Sequence, residues 1–299
     1  MKLLQIACLF LASSTLYAQD KKEYIADSKG QYLAQPEEIK LSGNVRKENM
    51  ASSIGRIELR WPRKVEILFG RTPQRAMADA ARTASRALKS ANFPTALQTL
   101  DMNWSVVFMD EDLPESQIPQ TLISNCHPAW MTPPSNIYVV AQRVAAGCSA
   151  GKNPGTQVAD SVLAQVLLHE IGHAVEYQLL GKMQGTDRMR AEGFATWFER
   201  YASQYSTVIS RGSVKEQHYA LARKAFQEVP YFAFRGSASD YAQASMFFSA
   251  IETRRGVKGI IEVYETMTQD RLTFFPALKK RLYWDEKRLM QEVKRVLGL

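Results

Sequence analysis

The stretch that most constrains this chain runs from Val158 to Leu180. Val158, Val162, Leu163, Val166, Leu167, Ala174 and Val175 recur at helical spacing, and Gly181 follows as a stop signal. Inside that apolar helix stands V-L-L-H-E-I-G-H-A-V-E-Y, residues 166–177, which holds two of the chain's four histidines. His169 and His173 are i and i+4, so their Cβ atoms lie about 5–6 Å apart on one face. Two imidazole nitrogens so placed can reach one zinc at about 2.0–2.1 Å. Glu170 is rotated about 100° from His169 around the axis. It stands beside such a metal without ligating it, where a general base belongs.

A catalytic zinc needs a third protein ligand and an open position for water. One class of zinc sites places a third histidine six residues after the second, past a glycine. Here those positions hold Leu179 and Glu176, which excludes that class. Another class takes a glutamate from a following helix. Residues 190–199 read R-A-E-G-F-A-T-W-F-E, and Glu192 comes nineteen residues after His173. A helix end, a turn at 181–186 and a new helix bring the chain back antiparallel over that distance.

H-E-I-G-H, eighteen residues, then E-G-F-A-T-W-F-E resembles the gluzincin metallopeptidases, the group that includes thermolysin and the zinc aminopeptidases. The resemblance covers 157 to about 297. It implies His169, His173 and Glu192 as zinc ligands and Glu170 as the base that activates water. It implies a supporting role for Glu199, whose spacing of seven from Glu192 keeps it on the same helix face. S-D-Y-A-Q-A-S-M-F-F-S-A-I-E-T-R-R-G, 239–256, resembles the family's downstream helix, where a tyrosine donates to the developing oxyanion. Tyr241 is the match, with an ordinary core or surface tyrosine as the alternative. The upstream G-x-M-E-N of the zinc aminopeptidases is missing, so the resemblance implies an endopeptidase. It also implies an edge strand that takes up substrate backbone, and N-I-Y-V-V-A-Q, 136–142, is expected to be that strand. His218 is another candidate donor, but in the polar stretch Q-H-Y it reads as a surface histidine, and His127 as structural.

The start of the chain carries a different signal. Lys2 precedes the apolar run L-L-Q-I-A-C-L-F-L-A-S-S-T-L, which ends at L-Y-A. This reads as a signal peptide, residues 1–18, cleaved near Ala18, so an exported (periplasmic or secreted) protein is expected. No later stretch is apolar for long enough to span a bilayer. Export leaves Cys126 and Cys148, read as one disulfide, with two separate buried thiols as the alternative. The net charge of +8 is scattered, with no basic block fit for a nucleic-acid arm.

Between these signals the expected fold is α+β, a gluzincin-like catalytic domain over 51–299 with a small N-terminal mixed-sheet lobe and a mostly helical C-terminal lobe. Residues 19–50 read as a polar lead-in. Strands are expected at R-I-E-L-R-W, K-V-E-I-L-F-G, M-N-W-S-V-V-F-M and N-I-Y-V-V-A-Q, and a loop over the Pro-rich 113–135. Thr72 and Pro73 open a helix that ends near Asn92. Further helices are expected at 186–205, 214–228, 239–255, 257–268 and 275–297. The expected activity is zinc-dependent hydrolysis of a peptide, a protein or a peptidoglycan stem peptide. A zinc-holding scaffold of the cell envelope without hydrolysis is the alternative, although that role gives Glu170 no purpose.

Overall fold

The computed structural model describes residues 41, 44–69, 72–109, 128–146, 158–181, 187–210, 212–228, 234 and 236–299. The signal segment 1–18, most of the lead-in, Cys126, His127 and Cys148 lie outside the described residues.

Five strands form one mixed sheet in the order β1-β2-β3-β5-β4. β1 (Val45–Ser52) and β2 (Gly55–Pro62) are an antiparallel hairpin. β2 runs parallel to β3 (Met102–Met109), and β3 parallel to β5 (Asn136–Val140). β4 (Ala129–Thr132) closes the sheet antiparallel to β5.

Three expectations about this region need correction. β1 begins inside the segment read as a loose lead-in. Its side chains are mostly exposed, so no apolar alternation marks it. Its pairing with β2 holds it, aided by Lys47–Glu58 at 2.5 Å and Arg46–Glu66 at 2.6 Å. K-V-E-I-L-F-G does not form a strand. Arg63–Val65 is a 3-10 turn, and Glu66–Phe69 is a short helix, α1. Its apolar residues satisfy both the strand and the helix period, and so short a run cannot separate them. β4 lies within the Pro-rich segment expected to be loop, so N-I-Y-V-V-A-Q is interior rather than edge. Its strand stops at Val140, and Ala141 and Gln142 open the helix α4 (Ala141–Ala146).

The two sheet faces separate by residue parity, as pleating requires. Val106, Phe108, Ile137 and Val139 join the main core. Val107, Met109, Tyr138 and Val140 join Trp130 in a smaller cluster on the other face. The crossover from β2 to β3 runs through α2 (Thr72–Ser90) and the short α3 (Thr95–Thr99). α2 packs alanines Ala76, Ala80, Ala84 and Ala87 inward, all fully buried, which admits close approach of the next long helix.

That helix is α5 (Asp160–Leu180), the motif helix. α6 (Arg188–Ser203), α7 (Ser213–Glu228), α8 (Ala238–Asp270), α9 (Phe274–Leu282) and α10 (Glu286–Leu297) complete the chain. α8 joins the two expected helices across a kink at Gly256, whose φ is 66°. The single helix expected at 275–297 is two. Tyr283 takes a left-handed φ of 57°, and Asp285 caps the second by accepting from Arg288 N at 2.7 Å. One apolar cluster runs from Ile54 to Leu297, so the expected sheet lobe and helical lobe share a core. Among the described residues no helix is long and apolar enough to cross a membrane.

Candidate metal centre

Close helix contact builds the site. A Cβ on Gly172 would stand 3.0 Å from Ala195 Cα, so this glycine lets α5 lie directly against α6. A Cβ on Gly193 would meet Ala244 at 3.0 Å, and α6 lies equally close to α8. The glycines of H-E-I-G-H and E-G-F-A are therefore packing residues. They set the spacing between the helix that carries the histidines and the one that carries Glu192.

Local signals fix where those helices start. Asp187 caps α6 by accepting from Arg190 N at 3.0 Å, which places Glu192 in the first turns. Ser237 and Asp240 form a reciprocal capping box at the start of α8, one residue before Tyr241.

Donor atoms of His169, His173 and Glu192 all lie within 4.8 Å of one another. Glu192 Oε2 is 3.3 Å from His169 Nε2 and 3.4 Å from His173 Nε2. A tetrahedral zinc with ligands at about 2.0–2.1 Å separates its ligand atoms by about 3.3 Å. The distances and the two-nitrogen, one-carboxylate donor set therefore fit zinc. The other nitrogen of His169, Nδ1, lies 3.3 Å from Glu199 Oε2. A carboxylate there would fix the tautomer whose Nε2 lone pair faces a metal held at this centre.

Glu170 is 5% exposed, and its Oε2 has no hydrogen-bond partner among the described residues. Burial raises its pKa, partly countered by His173 and His169. Tyr241 stacks beside His169, ring centroids 6.4 Å apart. Its hydroxyl oxygen accepts from Arg188 Nη2 at 3.0 Å. Burial and the charge of Glu192 hold its pKa well above 10.0, so the phenol keeps its proton.

Without a metal, the carboxylates around His169 favour its protonated ring. Burial pulls the His169 pKa down. Hydrogen bonds to Glu192 and Glu199 and the charge of Glu170 outweigh that and raise it well above 6.5. Burial alone would raise Glu192, yet His173 and the hydrogen bonds of both histidines bring it well below 4.5. Metal binding must displace that proton.

The structure thus gathers six of the residues picked out from the sequence: His169, Glu170, His173, Glu192, Glu199 and Tyr241. It adds two that sequence reasoning missed and brings in a third, His218, that was read as a surface histidine. Gln165 donates to Glu199 Oε1 at 2.6 Å. Arg188 lies 3.8 Å from Glu192 Oε1 as well as on Tyr241. His218, expected at the surface, is 4% exposed, with Nε2 3.5 Å from Glu199 Oε1. Gln165 and Arg188 each sit four residues before a candidate ligand, a helical offset that could have flagged them. His218 arrives from α7 with no local signal.

No family model matches this sequence, and a search of curated proteins returns no match. The functional argument therefore rests on the residues themselves.

Proposed function

We propose that the chain is an exported zinc-dependent endopeptidase of the gluzincin kind, acting on a peptide, a protein or a peptidoglycan stem peptide. The observation that carries the reading is the buried Glu170 carboxylate, whose Oε2 has no hydrogen-bond partner among the described residues, beside three donor atoms at zinc-ligand spacing. A buried carboxylate oxygen without a hydrogen-bond partner is costly to keep. A purely structural metal site has no use for it.

His169, His173 and Glu192 would hold the zinc. When bound, zinc supplies Lewis acidity and lowers the pKa of water towards about 7. Glu170 Oε2 takes a proton from the attacking water and returns it to the leaving amine nitrogen. Its raised pKa brings it nearer to the pH at which both transfers proceed. Tyr241 stays protonated and donates to the oxygen on which charge develops. β4, which packs against α5 at the open edge of the sheet, is the strand to which extended substrate backbone would add.

The test is mass-spectrometric cleavage profiling. Zinc-loaded residues 19–299 and Glu170→Gln are each incubated with a peptide mixture that includes peptidoglycan stem peptides. Internal cuts by the wild type, lowered about 10²–10⁴-fold in Glu170→Gln at equal zinc content, support the reading. Equal cutting by both proteins removes Glu170 as the base. No cutting by zinc-loaded wild type removes the peptidase assignment.

A further inference from the structure

We propose that Gln165 and His218 are positioning residues that fix the orientation of His169, acting through the Glu199 carboxylate. This rests on the zinc reading above and concerns how the ligand set is held.

Glu199 is anchored from two elements. Its Oε1 accepts from Gln165 Nε2 at 2.6 Å, a contact from α5, four residues before His169. The same oxygen faces His218 Nε2 of α7 at 3.5 Å. Its other oxygen, Oε2, faces His169 Nδ1 at 3.3 Å. One carboxylate therefore meets three nitrogen donors, and its side chain is only 5% exposed. A carboxylate hydrogen-bonded at one oxygen by Gln165, and flanked there by His218, is restrained from turning away from the imidazole at the other.

The burial of His218 is otherwise hard to account for. Its Nδ1 has no hydrogen-bond partner among the described residues. A buried polar atom without a partner is costly to keep. A neutral imidazole carries its proton on one nitrogen only. With the proton on Nε2, the ring offers an N–H to Glu199 and leaves the Nδ1 lone pair as the orphan. The opposite tautomer would set a lone pair against a carboxylate oxygen, which is repulsive. Burial also lowers the His218 pKa, against the opposing charge of Glu199, which favours the neutral ring.

The test compares Gln165→Met and His218→Leu, which remove the N–H donors, with His218→Gln, which keeps one. Zinc affinity is read by competition with a chromophoric chelator at fixed pH, and melting of the metal-free proteins is read in parallel. Gln165→Met and His218→Leu are each expected to weaken zinc binding several-fold, less than the roughly 10–100-fold that loss of a direct partner of a ligand such as Glu199 would cause. His218→Gln is expected to stay close to wild type. Unchanged zinc affinity in both donor-less variants overturns the proposal, as does a zinc loss that only follows lost melting stability. Should His218→Leu fail to fold, nitrogen-15 NMR of the zinc-loaded wild type decides. A proton on Nε2 of His218 supports the proposal, and a proton on Nδ1 overturns it. Wild type that takes up no zinc would sink this proposal and the peptidase reading together, whereas wild-type-like affinity in the variants sinks only this one.

Discussion

The carboxylate of Glu176 and the guanidinium of Arg190 form an ion pair at 2.8 Å, with each side chain only 4% exposed. Tyr264 of α8 donates to the same Glu176 oxygen at 2.5 Å. Glu176 lies three residues after His173, and Arg190 two before Glu192. The pair thus ties the histidine helix to the glutamate helix beside the ligands. Burial alone would lower the Arg190 pKa, but Glu176 and Tyr264 more than offset it and raise it. Removing one partner of such a pair leaves a buried charge uncompensated. Glu176→Leu is expected to cost about 3–5 kcal/mol in urea unfolding. A loss below about 1 kcal/mol would show that water reaches Arg190.

The two motif glycines make a second prediction. Ala in place of Gly172 gains about 1 kcal/mol of helix propensity. The new methyl would stand 3.0 Å from backbone atoms of Ala195, which cannot turn aside as a side chain tip can. Overpacking of this kind costs about 1–3 kcal/mol. The expected net effect of Gly172→Ala is a loss of roughly 1 kcal/mol, with zinc affinity reduced as α5 and α6 part. A rise in melting temperature with unchanged zinc affinity would show that the helices can separate at no cost to the centre.

How far the sequence revealed this site follows from where each contact lies along the chain. His169, Glu170 and His173 share one helix, and their spacing alone sets their geometry. Glu192 and Glu199 sit on the next helix, reached by one turn. His218 comes from α7, and only tertiary packing brings it to Glu199, so its polar neighbours in sequence misled. The sheet follows the same division. β2 and β3 carry apolar alternation and were legible. β1 is mostly exposed and is held by pairing. β4 is four residues long, and its place at the edge depends on pairing with β5. That swap of edge for interior moves the expected substrate strand from 136–142 to 129–132.

The proton held between His169 and Glu192 makes the metal-free protein pH-sensitive. The folded pKa of His169 lies above its ordinary 6.5, so its stabilising contribution is complete below that value and fades as pH rises through the folded pKa. The folded pKa of Glu192 lies below its ordinary 4.5, so its contribution is complete above 4.5 and fades as pH falls through the folded value. Both contribute fully between 4.5 and 6.5. The metal-free protein should therefore melt at progressively lower temperature as pH is raised from 6.5 towards 9. Glu192→Gln, which removes the partner charge, should flatten that decline. Saturating zinc should reverse it, because metal binding releases protons and strengthens with pH. An equal decline in wild type and Glu192→Gln would place the titrating group elsewhere.

Arg188 and Tyr241 make a separable pair. Arg188 donates to the tyrosine oxygen, and its guanidinium lies 5.9 Å from the Phe234 ring centroid. Gly236 leaves room for it, since a Cβ there would meet Nη2 at 3.1 Å. If Tyr241 donates only to charge that develops in the transition state, Tyr241→Phe should lower kcat by about 10²–10³, as the loss of one such donor does elsewhere. KM and zinc content should change little, because the hydroxyl would contribute nothing to ground-state binding. Arg188→Met should give a smaller drop in kcat, since the phenol loses its support but keeps its proton. In the double variant the two losses should not add, because Arg188 acts through the hydroxyl that Tyr241→Phe has already removed. These values would be measured on a peptide found by the cleavage profiling above. Additive losses would mean that Arg188 meets the substrate directly, and an unchanged kcat in Tyr241→Phe would return Tyr241 to a packing role against His169.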